Sequence, residues 1–372
     1  MGVASSDASV YQSSMEDFEY TCMSCLKKGF HVEAKGYCVD CSEYLCRPCI
    51  VKHLTDSALK GHVILHLNRI RNVSDVDSGR DGDSHNLRSV EVNSSSVEAS
   101  LDMSNISFVK DVKVRTSHDS VTCRICGMAL LSDGCVAVCD YDNSNVKIID
   151  VDNDVIKDSL KLRHEPISMV VLPNDRLAIT SQGCYNITIL TTTTKLEVLK
   201  TIRTDDMGYG IAYFNGKLFV SFQYPLKFQV LDLSGTVLEE IIPDSEVKTI
   251  CSSPKYIAVS ADEKTIFVSD WKSKVILSMN RKGKKLAHCH DVAQSTGVLV
   301  LDQMSCMLVC DNERDIVQKM SLDLKNRVIV LNKGDDIQFP FSIAMCPHRQ
   351  YLMISSLSSD QRRRDYIKIF QM

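Results

Sequence analysis

Six cysteines and two histidines crowd residues 22–62 of this 372-residue chain: Cys22, Cys25, Cys38, Cys41, Cys46, Cys49, His53 and His62. Their spacing is C-x2-C-x12-C-x2-C-x4-C-x2-C-x3-H-x8-H. A C-x2-C turn aims two thiolates at one point, and zinc takes four tetrahedral thiolate or imidazole ligands. Eight ligands fill two such sites, so two zinc ions are expected. Adjacent pairs can fill one site each, or alternate pairs can interleave, which suits the short gap between Cys41 and Cys46. His31 and His66 are spare histidines, but His62 fits the spacing better.

The chemistry expected of these ions is structural. About forty residues cannot build a sufficient hydrophobic core, so coordination must supply the folding free energy, on the order of 10 kcal/mol per site. With four protein ligands each, neither metal keeps the open position that activating a water needs.

The elements around the cluster differ sharply in composition. Residues 1–20 are polar and patternless. Residues 21–66 hold the ligands, and 67–105 form a Ser/Asp-rich stretch. That stretch is too poor in large apolar groups to offset its ordering entropy and is expected to be a disordered linker without heptads. From residue 106 the text turns to short apolar runs separated by turn residues such as Ser132-Asp133-Gly134, Pro173-Asn174-Asp175 and Asn215-Gly216.

Six of these segments align: MALLSDGCVAVCD, MVVLPNDRLAITS, IAYFNGKLFVSF, IAVSADEKTIFVSD, VLVLDQMSCMLVCD and IAMCPHRQYLMISS. Their second runs end at Asp140, Ser181, Phe222, Asp270, Asp311 and Ser356, at successive separations of 41, 41, 48, 41 and 45 residues. This is the period of one four-stranded propeller blade. The sixth repeat has only three strands, and ISFVKDVKV (106–114) is expected to supply the fourth, closing the ring and removing an exposed edge. The expected fold is mainly β: a six-bladed propeller over 106–372 behind a small zinc-bound module.

At this point the residues carry a resemblance. The ligand spacing resembles a type 1 B-box of the tripartite-motif family, whose ligands cross-brace. Carried over by position, Cys22, Cys25, Cys46 and Cys49 hold one zinc and Cys38, Cys41, His53 and His62 the other. The repeats resemble the NHL-type propellers of that family, with VSDWKSKVILSMNRKGK the closest stretch. With 21 residues ahead of Cys22, no RING is expected, and the linker stands where the family carries a coiled coil. The resemblance implies a zinc-binding adaptor acting through protein–protein contacts, in a ubiquitin-ligase or innate immune signalling context. Ubiquitin ligase activity without a RING is one alternative.

The bulk numbers restrict other functions. The composition is ordinary, 44% hydrophobic and 24% charged, with a formal net charge of −4. It gives no electrostatic case for nucleic acid or membrane. No apolar run approaches a spanning helix and no secretion signal is evident, so a cytoplasmic location is expected. The ten cysteines outside the cluster then read as small buried hydrophobes. MGVASS matches a myristoylation pattern at Gly2, but acidic residues follow, so no stable membrane anchor is expected.

Weaker signals resolve to ordinary structure. Asp150, Asp152 and Asp154 begin like a calcium loop but lack its glycine and terminal glutamate, and read as a hairpin turn. The lone pair Cys123 and Cys126, and the run His288-Cys289-His290, read as strand residues. RNA is the remaining alternative partner. From residue 106 there are 33 Lys and Arg against 32 Asp and Glu. Yet Lys227, Lys272, Lys274, Arg362, Arg363 and Arg364 are expected on loops between second and third strands, which share one propeller face. Trp271 and Tyr224 are stacking candidates there, and Asp142, Glu313 and Asp315 oppose the patch.

Overall fold

The computed structural model of the chain describes residues 22–26, 34, 36–38, 41, 43–46, 49–50, 52–53, 64–66 and 106–372, the last apart from 291, 293–294, 302–305, 347–348 and 359. The expectations for 1–20, for the linker over 67–105, and for Gly2, His31 and His62 lie outside the described residues. The chain divides into two units, with the boundary between Ser94 and Ser95. Among the described residues no helix is long and apolar enough to cross a membrane.

The first unit contains one turn of helix, α1 (Met23–Leu26), and three short strands, β1 (Gly36–Cys38), β2 (Glu43–Leu45) and β3 (Ile64–His66). They form an antiparallel sheet with β1 in the middle. Among the described residues its apolar interior is small: Cys38, Leu45 and Ile50 are buried together, with Cys41 and Cys49 packed against them. Such a core cannot offset the entropy of ordering the segment, and another source of folding energy is needed.

The second unit is a six-bladed β-propeller. It opens with β4 (Ser107–Lys113) and continues with the first blade, β5 (Ile125–Leu130), β6 (Val136–Asp140), β7 (Asn145–Asp150) and β8 (Val155–Lys161). The second blade is β9 (Pro166–Leu172), β10 (Arg176–Ser181), β11 (Asn186–Thr191) and β12 (Glu197–Arg203). The third is β13 (Gly208–Phe214), β14 (Lys217–Gln223), β15 (Leu226–Asp232) and β16 (Val237–Ile241). After a short helix, α2 (Ser245–Ile250), the fourth is β17 (Pro254–Val259), β18 (Thr265–Asp270), β19 (Val275–Asn280) and β20 (Lys285–His290). The fifth is β21 (Ser295–Leu301), β22 (Cys306–Asp311), β23 (Ile316–Ser321) and β24 (Arg327–Leu331). The sixth holds β25 (Pro340–Cys346), β26 (Tyr351–Ser356), the helical turn α3 (Gln361–Arg364) and β27 (Tyr366–Gln371).

Every blade is an antiparallel meander, and β4 completes the sixth as its outer strand, with Val112 opposite Ile367. Both side chains are fully buried. The innermost strands pack against one another in order, and β25 meets β5 to close the ring. Apolar side chains gather into six clusters, one between each pair of neighbouring blades. The three turns read from sequence all hold left-handed residues: Gly134, Asn174 with Asp175, and Asn215 with Gly216. The last pair joins β13 to β14 with positive φ at both positions, the geometry a two-residue hairpin needs.

The repeats carry a further regularity. The residue just before each repeat end is Cys139, Thr180, Ser221, Ser269, Cys310 or Ser355, always small and always a hydroxyl or thiol. Three of the hydroxyls bridge to the next blade. Thr180 donates to the Tyr209 carbonyl at 2.5 Å, Ser221 to Pro254 at 3.2 Å, and Ser355 to Ile125 at 2.9 Å. Ser221 and Ser355 also accept from Gly210 and Ser342 N–H on their own inner strands. Inner strands of adjacent blades cannot share ladder bonds, so these side chains satisfy groups that would otherwise be buried without partners. A Cβ on Gly210 would stand 2.9 Å from the Lys255 carbonyl, which shows how closely the inner strands approach.

Candidate metal centres and the propeller mouth

Cys22 precedes α1, Cys38 ends β1, Cys46 follows β2, and His53 lies in the helical stretch that begins near Cys49. The Ile50 N–H donates to the Cys46 carbonyl at 2.9 Å, opening that stretch. This path produces two separate groups. Cys22, Cys46 and Cys49 bring their sulfurs within 4.8 Å of one another, and so do Cys38, Cys41 and His53 with their ligand atoms. The groups interleave along the chain.

Two details mark the second group as ligand-like. The Cys41 N–H donates to Cys38 Sγ at 3.4 Å, and Cys41 Sγ lies 3.4 Å from His53 Nε2. An amide aimed at sulfur stabilises a thiolate, the form that binds metal. Three convergent soft donors per group suit zinc better than calcium or magnesium. Two N-terminal triads that can hold metal ions are therefore present. The Cys25 side chain and His62, the expected fourth ligands, lie outside the described residues.

A third cluster of possible ligands is already occupied by the chain itself. Asp119, Cys123 and Asp140 converge in the first blade. The Lys147 ammonium sits among them, 2.7 Å from Asp119, 2.7 Å from Asp140, 2.9 Å from the Val114 carbonyl and 3.4 Å from Cys123 Sγ. The Lys147 side chain is fully buried. Burial pushes its amine down, but Asp140 foremost, with Cys123 and Asp119, holds it above the ordinary lysine value. Burial likewise pushes Asp119 up, while the Lys147 and Thr116 hydrogen bonds bring it below the usual carboxylate range. An internal ammonium takes the place a cation would need, so this cluster is a structural lock. Sequence periodicity gave no sign of it, because a lysine inside NVKIID reads as an exposed position on an alternating strand.

The expected basic patch is not assembled as expected. Lys227 is no loop residue: it lies in β15, is 8% exposed, and pairs with Asp206 at 2.9 Å and Glu240 at 3.4 Å. Lys274 pairs with Glu313, Arg363 with Asp336, and Arg364 with Asp142. Lys272 and Arg362 remain as exposed cations with no described ion pair. Trp271 is half-buried and meets Phe341 edge-on at 6.3 Å. Tyr224 is 76% exposed. Of the other signals read as structure, Asp150 ends β7 before the hairpin, His288 to His290 lie in β20 and Cys126 lies in β5. Cys123, however, precedes β5 and is no strand residue, because its thiol faces Lys147.

Two features of this face escaped the sequence reading. One is a cleft of about 420 Å³ lined by Arg163, His164, Cys184, Tyr185, Asn186 and Arg203. The other is a cavity of about 130 Å³ at the mouth of the central channel, lined by residues that include Arg124, Tyr141, Tyr209, Lys255, Trp271 and Phe341. Lys255 enters from β17, an innermost strand, with Nζ 4.5 Å from the centre of the Trp271 ring and 5.9 Å from that of Phe341. Arg124 stacks over Tyr141 at 4.4 Å and is tied to Asp142 at 2.8 Å. A lysine in the otherwise apolar run PKYIAV was the available signal.

No family model matches the chain, and no curated protein matches it. Solved structures do. Catalytically inactive virginiamycin B lyase from Staphylococcus aureus with quinupristin is 11% identical, with a TM-score of 0.50 over 72% of this chain and 100% of that one. A streptogramin B lyase is 13% identical, with a TM-score of 0.51 over 71% of this chain and 87% of that one. At such identity the likeness is one of fold alone; the six blades are those of this chain's own sheets.

Proposed function

We propose that the chain is a non-catalytic adaptor: a zinc-held module of the B-box type joined to a propeller whose loop face grips a protein partner. The interleaving of the two triads carries this reading. Cys22, Cys25, Cys46 and Cys49 would hold one zinc, and Cys38, Cys41, His53 and His62 the other. Saturated coordination stabilises a fold and leaves no site for activating water. Two binding modules on one chain raise each other's effective concentration at a complex. Buried thiols and zinc thiolates both suit a reducing compartment such as the cytoplasm.

The test is capture by the tagged, zinc-loaded full chain, read by mass spectrometry with and without nuclease. Protein partners that persist after nuclease, and that compete with free propeller-face peptides once identified, support the adaptor. Retention abolished by nuclease contradicts it.

A second reading, RNA binding, is favoured by one observation: Arg163 and Arg203 in the larger cleft have no described ion pair, and Tyr185 beside them is 57% exposed. It predicts retention that falls steeply with salt and weakens on Arg163→Ala with Arg203→Ala. Salt-independent retention would remove it.

A further inference from the structure

The amine of Lys255 is in an unusual position. Among the described residues no carboxylate pairs with it and no hydrogen-bond acceptor takes its protons; its neighbours are the faces of Trp271 and Phe341. Lys255 is half-buried, whereas the two buried ammoniums among the described residues, Lys147 and Lys227, each have two carboxylate partners. Burial pushes Lys255 below the ordinary lysine value, against a smaller opposing effect of Cys126, and Arg124 adds a still smaller repulsion. A charge desolvated without a partner costs folding free energy. The position is thus built at the expense of stability, which is the pattern of a binding group.

The surroundings define what it binds. Trp271 and Phe341 form two walls of an aromatic cage, but the chain's own ammonium fills it, so an external cation is repelled. The cavity, at about 130 Å³, is well below the size of a cofactor pocket and matches one side chain. Tyr141 and Tyr209 line it too, and their hydroxyls have no partner among the described residues. Arg124 shares the Asp142 carboxylate with Arg364, so of the two cations that line the cavity Lys255 is the one with no carboxylate partner among the described residues. One charge, flanking hydroxyl donors and apolar walls match a monoanion better than a phosphate dianion.

We propose that the mouth of the propeller channel recognises the carboxylate of a glutamate or aspartate side chain in an extended peptide segment of a partner protein, with Lys255 as its charge partner. This rests on the adaptor reading and gives that adaptor a specificity-determining residue. The peptide crosses the mouth and drops one acidic side chain between Lys255 and the tyrosines.

Trp271 is the single tryptophan of the chain and lines the cavity, so its emission reports occupancy directly. The experiment uses the zinc-loaded full chain and four pools of random heptapeptides whose central residue is fixed as glutamate, glutamine, phosphoserine or lysine. Retention on the immobilised chain and the change in Trp271 emission are both measured. The glutamate pool is expected to bind about tenfold better than the glutamine pool, as one charge-assisted contact supplies. Lys255→Met should erase that preference while melting at or above the parent's temperature, because it removes a half-buried charge that has no carboxylate partner among the described residues. Equal binding of the glutamate and glutamine pools, a preference that survives Lys255→Met, a phosphoserine preference, or no response to any pool overturns the proposal. If the acidic preference is absent while protein partners still persist after nuclease, the pocket proposal falls alone. If partners are lost with nuclease, the adaptor reading falls with it.

Discussion

Cys22 and Cys46 lie on either side of β1 and β2 in the chain and bring their sulfurs within 4.8 Å of each other, in a group that leaves out Cys38 and Cys41. The strands between them therefore close a loop around one metal site while supplying ligands to the other. Removing metal from either site should release the whole module, since the apolar interior among its described residues is too small to hold it. Titration with a competing chelator is expected to withdraw both zinc ions in one cooperative step. Two well-separated steps would show that the sites fold independently.

The Lys147 lock makes a quantitative prediction. Lys147→Met keeps the side-chain volume but leaves Asp119 and Asp140 buried without their cation. The expected loss is roughly 3–5 kcal/mol, read from denaturant unfolding of the full chain. A loss below about 1 kcal/mol would mean that the cluster is wetter than its burial implies.

The same cluster fixes the sign of an acid effect. The Asp119 carboxyl is held below its usual range in the folded chain, so its contribution to stability is fully present above the unfolded value, about 4. It is lost as pH falls through the lower folded value. Melting temperature against pH should therefore drop on the acid side, and Asp119→Asn should flatten that limb while lowering stability at neutral pH. An unchanged acid limb in the variant would contradict the coupling.

Inter-blade hydroxyls predict a local cost. Ser355→Ala strands the Ser342 N–H and the Ile125 carbonyl at the junction where the ring closes. The expected destabilisation is about 1–3 kcal/mol by denaturant unfolding. Ser356→Ala is a useful neighbour, because its hydroxyl donates to the Gln338 carbonyl in the connection that leads into its own blade, not to a strand of the next blade. Equal effects would remove the special role assigned to the bridging position.

Much of this architecture could be read from the residues because strand periodicity and turn chemistry are local. Asp140, Ser181, Asp270, Asp311 and Ser356 each end a second strand, and Phe222 stands one residue from the end of its own. The closing strand was legible for the same reason, since a three-stranded last repeat needs a partner. Charge pairing was not legible. Lys227 reads as a loop cation because it follows Tyr224-Pro225, yet the strand begins at Leu226 and carries its ammonium to Asp206 in a different connection. Such partners are far apart in sequence and are chosen by blade packing. Lys147 and Lys255 were hidden in the same way: both sit in apolar strands, and only the fold decides that one meets two carboxylates and the other meets two aromatic faces.

The arrangement of the metal centres is most directly tested by loading the full chain with an NMR-active cadmium isotope and mapping through-bond couplings from each metal to cysteine and histidine protons. The account predicts two cadmium resonances, one coupled to Cys22, Cys46 and Cys49 and the other to Cys38, Cys41 and His53. A single resonance coupled to both Cys22 and Cys38, or fewer than two bound metals per chain, would contradict it.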